Sequence, residues 1–139
     1  MAVELPAKYK PSPDEEYMNP QQLEYFRRKL VAWREELMTE AQETLEHLRD
    51  KSNQEVGDEA DRANRESEHG LELRTRDRYR KLERKIDQAL KRIEDGSYGY
   101  CEDTGDEIGV RRLDARAIAT LTIDAQERRE MKDKVLADR

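Results

Sequence analysis

Cysteine is almost missing from this chain, with Cys101 standing alone. One thiol excludes an internal disulfide and cannot by itself hold a structural metal, a usage that suits a reducing cytoplasm. Aromatic residues are also scarce, one Phe, one Trp and six Tyr, so a thick core is not expected. No window approaches the roughly 20 apolar residues of a membrane span. The opening stretch MAVELPAKYKPSPDEEY has no apolar run resembling a signal peptide. A surplus of cations is lacking too, since the formal net charge is -6, whereas general nucleic-acid affinity comes from an excess of Lys and Arg. These absences point to a cytoplasmic protein with no membrane partner and no direct sequence-specific DNA binding.

What the chain does have is charge: 43% of its residues are charged against 35% hydrophobic. That is too polar for a compact globule of this length. Long helices burying a narrow seam are the economical alternative, and periodicity decides between them and disorder. Three of the four prolines, Pro6, Pro11 and Pro13, fall in residues 1–19, and Asn19-Pro20 then makes a helix start with Asn as N-cap. From there Leu23, Phe26, Leu30, Trp33, Leu37, Ala41, Thr44 or Leu45, and Leu48 recur in steps of three and four. A second seam runs through Leu71, Thr75, Tyr79, Leu82, Ile86, Ala89 and Ile93. Between the two lies SNQEVGDEADR, where Ser52, Asn53 and Gly57 break the pattern and the chain is expected to reverse. Residues 20–95 therefore read as an antiparallel coiled-coil hairpin with its tip near 52–63. Helices of about 30 residues at ~1.5 Å per residue would make arms on the order of 45 Å long.

Charge is sorted along this hairpin. Residues 40–72 carry eleven acidic and four basic side chains, a net of -7, and residues 74–92 carry nine basic and three acidic, a net of +6. Runs of charge on helices are commonly solvated faces, but segregation of sign is less readily accidental. At the tip, Asp58 suits a helix N-cap and Asp61 the first turn, facing the positive end of the helix dipole. His47 and His69 read as ordinary helix-surface histidines.

After Ile93 the sequence EDGSYGYCEDTGDEIGVRRLDARA opens on a glycine helix stop at Gly96 and Gly99 and carries turn signals at 103–106. The Glu107–Leu113 run is expected to form a small strand pair, and Thr122-Ile123-Asp124 to open a last helix. Residues 96–139 thus read as a small globular base with a C-terminal helix, and the fold class as mainly α.

The strings YMNPQQLEYFRRKLVAWR, DEADRA, LELRTRDRYRKLERKI and GYCEDTGDEIGVRRLDAR resemble, in this order and over about residues 14–130, the DksA family of secondary-channel transcription factors. That family's pattern has a four-cysteine zinc finger in the base, and only its first ligand matches here, as Cys101; Thr104, Thr122 and Ala125 stand at the other three positions. A threonine hydroxyl or an alanine methyl does not replace a thiolate on zinc, so a degenerate, zinc-independent base is expected, with Thr104 and Thr122 bridging loop backbone and Cys101 a small buried residue.

The resemblance further implies a regulator and not an enzyme. A monomer would bind RNA polymerase, place Asp58, Asp61 and Ala63 near its active site, and shorten the life of open promoter complexes at rRNA promoters in the stringent response. It also implies the alarmone ppGpp as effector, with Arg78, Lys85 and Arg116 toward its phosphates, Leu82 beside them, and Gln126 where the family has a lysine. Three other readings are open on residues alone. Carboxylates at the tip would suit a Gre-like cleavage factor holding magnesium, the seams would suit a structural coiled-coil scaffold, and the base would suit a nucleic-acid-binding finger. The last is opposed by the missing ligands and the acidic balance.

Overall fold

The computed structural model describes residues 3–54 and 59–138, and within these the side chains of 52–54 and 59–63 lie outside the description. Four helices follow one another: α1 Pro20–Gln54, α2 Glu59–Asp95, α3 Val110–Ala115 and α4 Ile123–Ala137. The chain forms two compact units, one made of Met1–Leu30 with Gln88–Arg139 and the other of Val31–Asp87.

The second unit is a pair of helical arms. Arg34 of α1 reaches Glu83 at 3.8 Å and Asp87 at 3.3 Å, Tyr79 donates to Glu40 at 3.2 Å, and Arg49 meets Glu72 at 3.1 Å. Partners on α2 thus fall in number as those on α1 rise, so the arms run antiparallel. Leu37, Thr75, Tyr79 and Ile86 are buried between them, the narrow seam that steps of three and four produce. Leu71, expected in the seam, is instead 43% exposed. Beside it Glu72 pairs with Arg49 of the first arm and with Arg76, so ion pairs link the arms at this level. His47 and His69 are both exposed.

Helix α1 starts as its sequence dictates, with the Asn19 side chain accepting from the Gln22 amide at 2.9 Å. It continues through Gln54, past Ser52 and Asn53, where weak propensity suggested a break. Helix α2 begins at Glu59, so Asp61 and Ala63 lie in its first turns, while Asp58 falls outside the described residues. It ends at Asp95, where Gly96 adopts φ 84°, a conformation only glycine reaches without strain.

The first unit is the base. Phe26 and Leu30 of α1 and Ala89, Tyr98, Ile108, Leu113, Leu121 and Ala125 are all buried, with the Phe26 and Tyr98 ring centres 5.6 Å apart. The expected strand pair at 107–113 is not formed. Tyr100 and Glu107 make one isolated antiparallel bridge, and the chain turns into α3 at Val110 after Gly109 at φ 102°. No extended strand occurs among the described residues.

Candidate functional site

The loop 101–106 is a tight knuckle. The Cys101 amide donates to the Asp106 carbonyl at 2.8 Å, the Gly105 amide returns to the Cys101 carbonyl at 2.8 Å, and Glu102 donates to Thr120 at 2.9 Å. Around the buried sulfur, the Thr122 hydroxyl donates to Sγ at 3.9 Å and also accepts from the Ala125 amide at 3.2 Å, so that it caps α4 as well. The Thr104 hydroxyl accepts from the Asp106 amide at 3.2 Å, and the Ala125 methyl is buried. Burial pushes the Cys101 thiol up, but hydrogen bonds from the Thr104 hydroxyl and the amides of Thr122, Asp103 and Thr104 outweigh it and lower its pKa to about 7. Cys101, Thr104, Thr122 and Ala125 therefore share one site.

Other links hold this knuckle that no spacing rule announces. Arg129 of α4 donates from Nε to Asp103 at 2.8 Å, with a second bond from its terminal nitrogen, and Arg112 donates to the Leu121 carbonyl at 2.9 Å. Buried Tyr98 donates to the Ala117 carbonyl at 2.7 Å. Tyr17 donates to Gly99 at 2.6 Å and accepts from the Gly109 amide at 2.9 Å. At Gly99, φ 93°, a side chain would be strained by the backbone, and its Cβ would lie 2.9 Å from the Met18 side chain, which would have to shift. Asp114 accepts from Tyr25 at 2.6 Å and from the Lys29 ammonium at 2.8 Å. These two bonds hold the Asp114 carboxyl below its ordinary value, while burial and then Asp114 push Tyr25 up to about 12. The tyrosines and Arg129 were visible as residues, but their partners lie 19 to 92 positions away, beyond any helical or turn pattern.

On α2, Arg78, Leu82 and Lys85 stand at steps of four and three on one face. Arg78 and Lys85 are exposed, Leu82 is half-buried, and the Arg78 guanidinium sits 5.7 Å from the Tyr79 ring centre. In the base, exposed Arg116 closes α3 and Gln126 lies in the first turn of α4, donating to Glu130 at 2.9 Å.

Residues 22–93 match the family model of the DnaK suppressor protein DksA, N-terminal domain, and residues 96–130 that of the prokaryotic dksA/traR C4-type zinc finger. The RNA polymerase-binding transcription factor DksA of Caulobacter vibrioides is 57% identical over 130 residues, covering 94% of this chain and 91% of that protein. This chain belongs to the DksA family. The Escherichia coli K12 DksA is 49% identical over 129 residues, 93% of this chain and 85% of its own. Among solved structures, the transcription factor DksA2 from Pseudomonas aeruginosa superposes with a TM-score of 0.77 at 43% identity, covering 88% of this chain and 93% of that one. Each name is that of a transcription factor, and none is that of an enzyme.

The C4 label of the DksA finger raises the question of zinc. The donor set here does not fit it. Structural zinc takes four N, S or O⁻ ligands, and of the four positions only Cys101 offers one. The two threonine hydroxyls are committed to the amides of Asp106 and Ala125, and the fourth position is a methyl group. Among the described residues no group of three His, Cys, Asp or Glu side chains is placed to hold a metal ion.

Proposed function

We propose that this DksA-family chain regulates transcription by binding RNA polymerase through its secondary channel as a cytoplasmic monomer, without zinc. The observation that carries the reading is identity running through both arms and base: 57% over 94% of the chain, to a relative named as an RNA polymerase-binding transcription factor. Two antiparallel helical arms suit a channel, because a helix pair is narrow and satisfies its own backbone hydrogen bonds, so that the segment joining the arms would enter first. There Asp58, with Asp61 and Ala63 from the start of α2, would approach the active site, where carboxylates act by field and contact on mobile elements, with no covalent step. Promoter open complexes are then shortened in life, above all at rRNA promoters in the stringent response.

The effector in this reading is ppGpp, held between protein and polymerase. Arg78, Lys85 and Arg116 supply the cations its phosphates need, Leu82 an apolar contact and Gln126 hydrogen-bond donors. Asp61→Asn tests the tip. It keeps size and most hydrogen bonding and costs only about 0.3–1 kcal/mol of dipole interaction. The expected variant folds, binds polymerase and no longer shortens open-complex lifetime. A variant that melts slightly earlier yet regulates like the parent would leave helix capping as the whole role of Asp61.

A further inference from the structure

The cations of α2 fall on distinct faces, and among the described residues some are paired and others are not. Arg76 pairs with Glu72 at 3.0 Å and Lys81 with Asp77 at 3.1 Å, and on α1 Arg34 and Arg49 pair with Glu83, Asp87 and Glu72. Among the described residues Arg80 and Arg84, like Lys85, make no ion pair or hydrogen bond and are exposed. The two arginines stand one turn apart and, at about 100° per residue, about 120° and about 160° around the helix from the centre of the buried seam of Thr75, Tyr79 and Ile86. Leu73, 54% exposed, lies on the same row two turns before Arg80, with Asp77 between. Arg78 and Lys85 are displaced from this row by about a third of a turn.

This face is unfavourable for the isolated chain. Two arginines at a four-residue spacing repel one another, and an exposed leucine on a two-helix arm gains nothing from solvent. The carboxylates nearest to them are engaged with other cations, Asp77 with Lys81 and both Glu83 and Asp87 with Arg34. Glu35, Glu36 and Glu43 line a separate shallow concavity of about 450 Å³ on α1 with Ala32 and Thr39.

We infer that the outer row of α2, Leu73 with Arg80 and Arg84, is a docking face for an acidic protein surface with an apolar contact point, which on the reading above belongs to RNA polymerase. Planar guanidinium groups two hydrogen bonds wide suit carboxylates. Nucleic acid fits less well, because Asp77 interrupts the row, Leu73 offers nothing to a phosphate, and a chain of net charge -6 lacks the cation surplus that counterion release requires. The face is separate from the alarmone cations, so it serves affinity and not the ppGpp response.

The test is titration of fluorescently labelled protein with RNA polymerase holoenzyme at several salt concentrations, with and without ppGpp. R80A/R84A removes only exposed, unpaired side chains, so its helical signal and Tm should match the parent. Its affinity should fall about tenfold or more, with a shallower salt dependence, while the factor by which ppGpp changes binding stays that of the parent. Leu73→Ser should weaken binding several-fold with the salt slope retained. A double variant that binds like the parent would overturn this inference and leave the proposed function standing. A parent that does not bind polymerase would overturn both. If the double variant instead lost affinity for a labelled single-stranded DNA, or lost a salt-sensitive self-association in sedimentation, with polymerase binding unchanged, nucleic acid or a second copy would be the occupant and an acidic polymerase surface would be refuted.

Discussion

Replacing Thr122 by Val tests how the base holds together. One hydroxyl there serves two elements, accepting from the Ala125 amide at 3.2 Å as the N-cap of α4 and donating to Cys101 Sγ at 3.9 Å. Valine keeps the volume and removes both bonds. Loss of a threonine cap costs about 1 kcal/mol, within a range of roughly 0.5–2, and the long bond to sulfur adds little. In a chain of this size that lowers the Tm by about 4 °C. Because α4 is 15 residues long and marginal as an isolated helix, loss should appear first as fraying at its start, seen by hydrogen exchange at Ala125 and Gln126. Thr122→Ser keeps the hydroxyl and should recover most of the stability. Melting in strong chelator is the companion measurement, and the parent should melt at the same temperature with and without it. A valine variant as stable as the parent, or a parent that loses helical signal on chelation, would refute the view that side-chain hydrogen bonds hold the knuckle.

Three further outcomes are expected. Because the Cys101 thiol is lowered to about 7 from an ordinary value of 9.0, its thiolate contributes stability that is fully present above pH 9 and lost as pH falls through 7; Tm relative to Cys101→Ser should therefore rise between pH 7 and 9. Glu24 is lowered to about 2 by Arg27, against the opposing pull of burial, with Arg28 assisting; its contribution should be present above the ordinary value of 4.5 and fade toward pH 2, and Glu24→Gln should flatten the acid limb of a Tm profile in that window. For the effector, Lys85→Ala or Arg116→Ala should reduce ppGpp-dependent inhibition with polymerase binding kept, and Gln126→Lys should strengthen it, by about 1.5–3 kcal/mol per charge-assisted contact; inhibition assays in which all three respond like the parent would exclude these residues from the site.

The arms were legible because their chemistry is periodic. Phe26, Leu30 and Leu37 on α1, and Tyr79, Ile86 and Ala89 on α2, recur in steps that only a helix can bury together, and all six are buried. Leu71 fits the same steps but lies exposed, since periodicity names a face without naming what covers it. Helix α3 was missed because six residues complete fewer than two turns, too few for a period, and the branched Ile108 and Val110 favour strands by propensity. The knuckle positions Cys101, Thr104, Thr122 and Ala125 came from family likeness. Their neighbours did not: Tyr17 bridges Gly99 and Gly109 across 82 and 92 positions, and such pairs carry no local signal. For the tip the sequence speaks through composition alone, because helix capping and a polymerase-facing role ask for the same carboxylates.

The base of this chain shows what replaces a metal when its ligands are gone. A bound zinc concentrates stabilisation of on the order of 10–16 kcal/mol in four bonds and ties it to pH, chelators and thiol oxidation. Here the loop 101–106 is joined to the start of α4 and the residues before it by the Glu102 amide on the Thr120 carbonyl, by the Thr122 hydroxyl on Cys101 and by Arg129 on Asp103, while Arg112 ties α3 to the Leu121 carbonyl. A typical bond of this kind contributes about 0.5–1.5 kcal/mol net, so none is decisive alone. Burial of Tyr98, Leu113 and Leu121, at about 1.5–3 kcal/mol for each large apolar side chain, must supply much of the rest. The stabilisation is therefore distributed across contacts between residues distant in sequence. Substitutions in such a base should act in small, graded steps, whereas loss of one ligand from a four-cysteine site removes its metal outright. The Cys101 sulfur is held here by hydrogen-bond donors, which lower its pKa to about 7 against the opposing effect of burial.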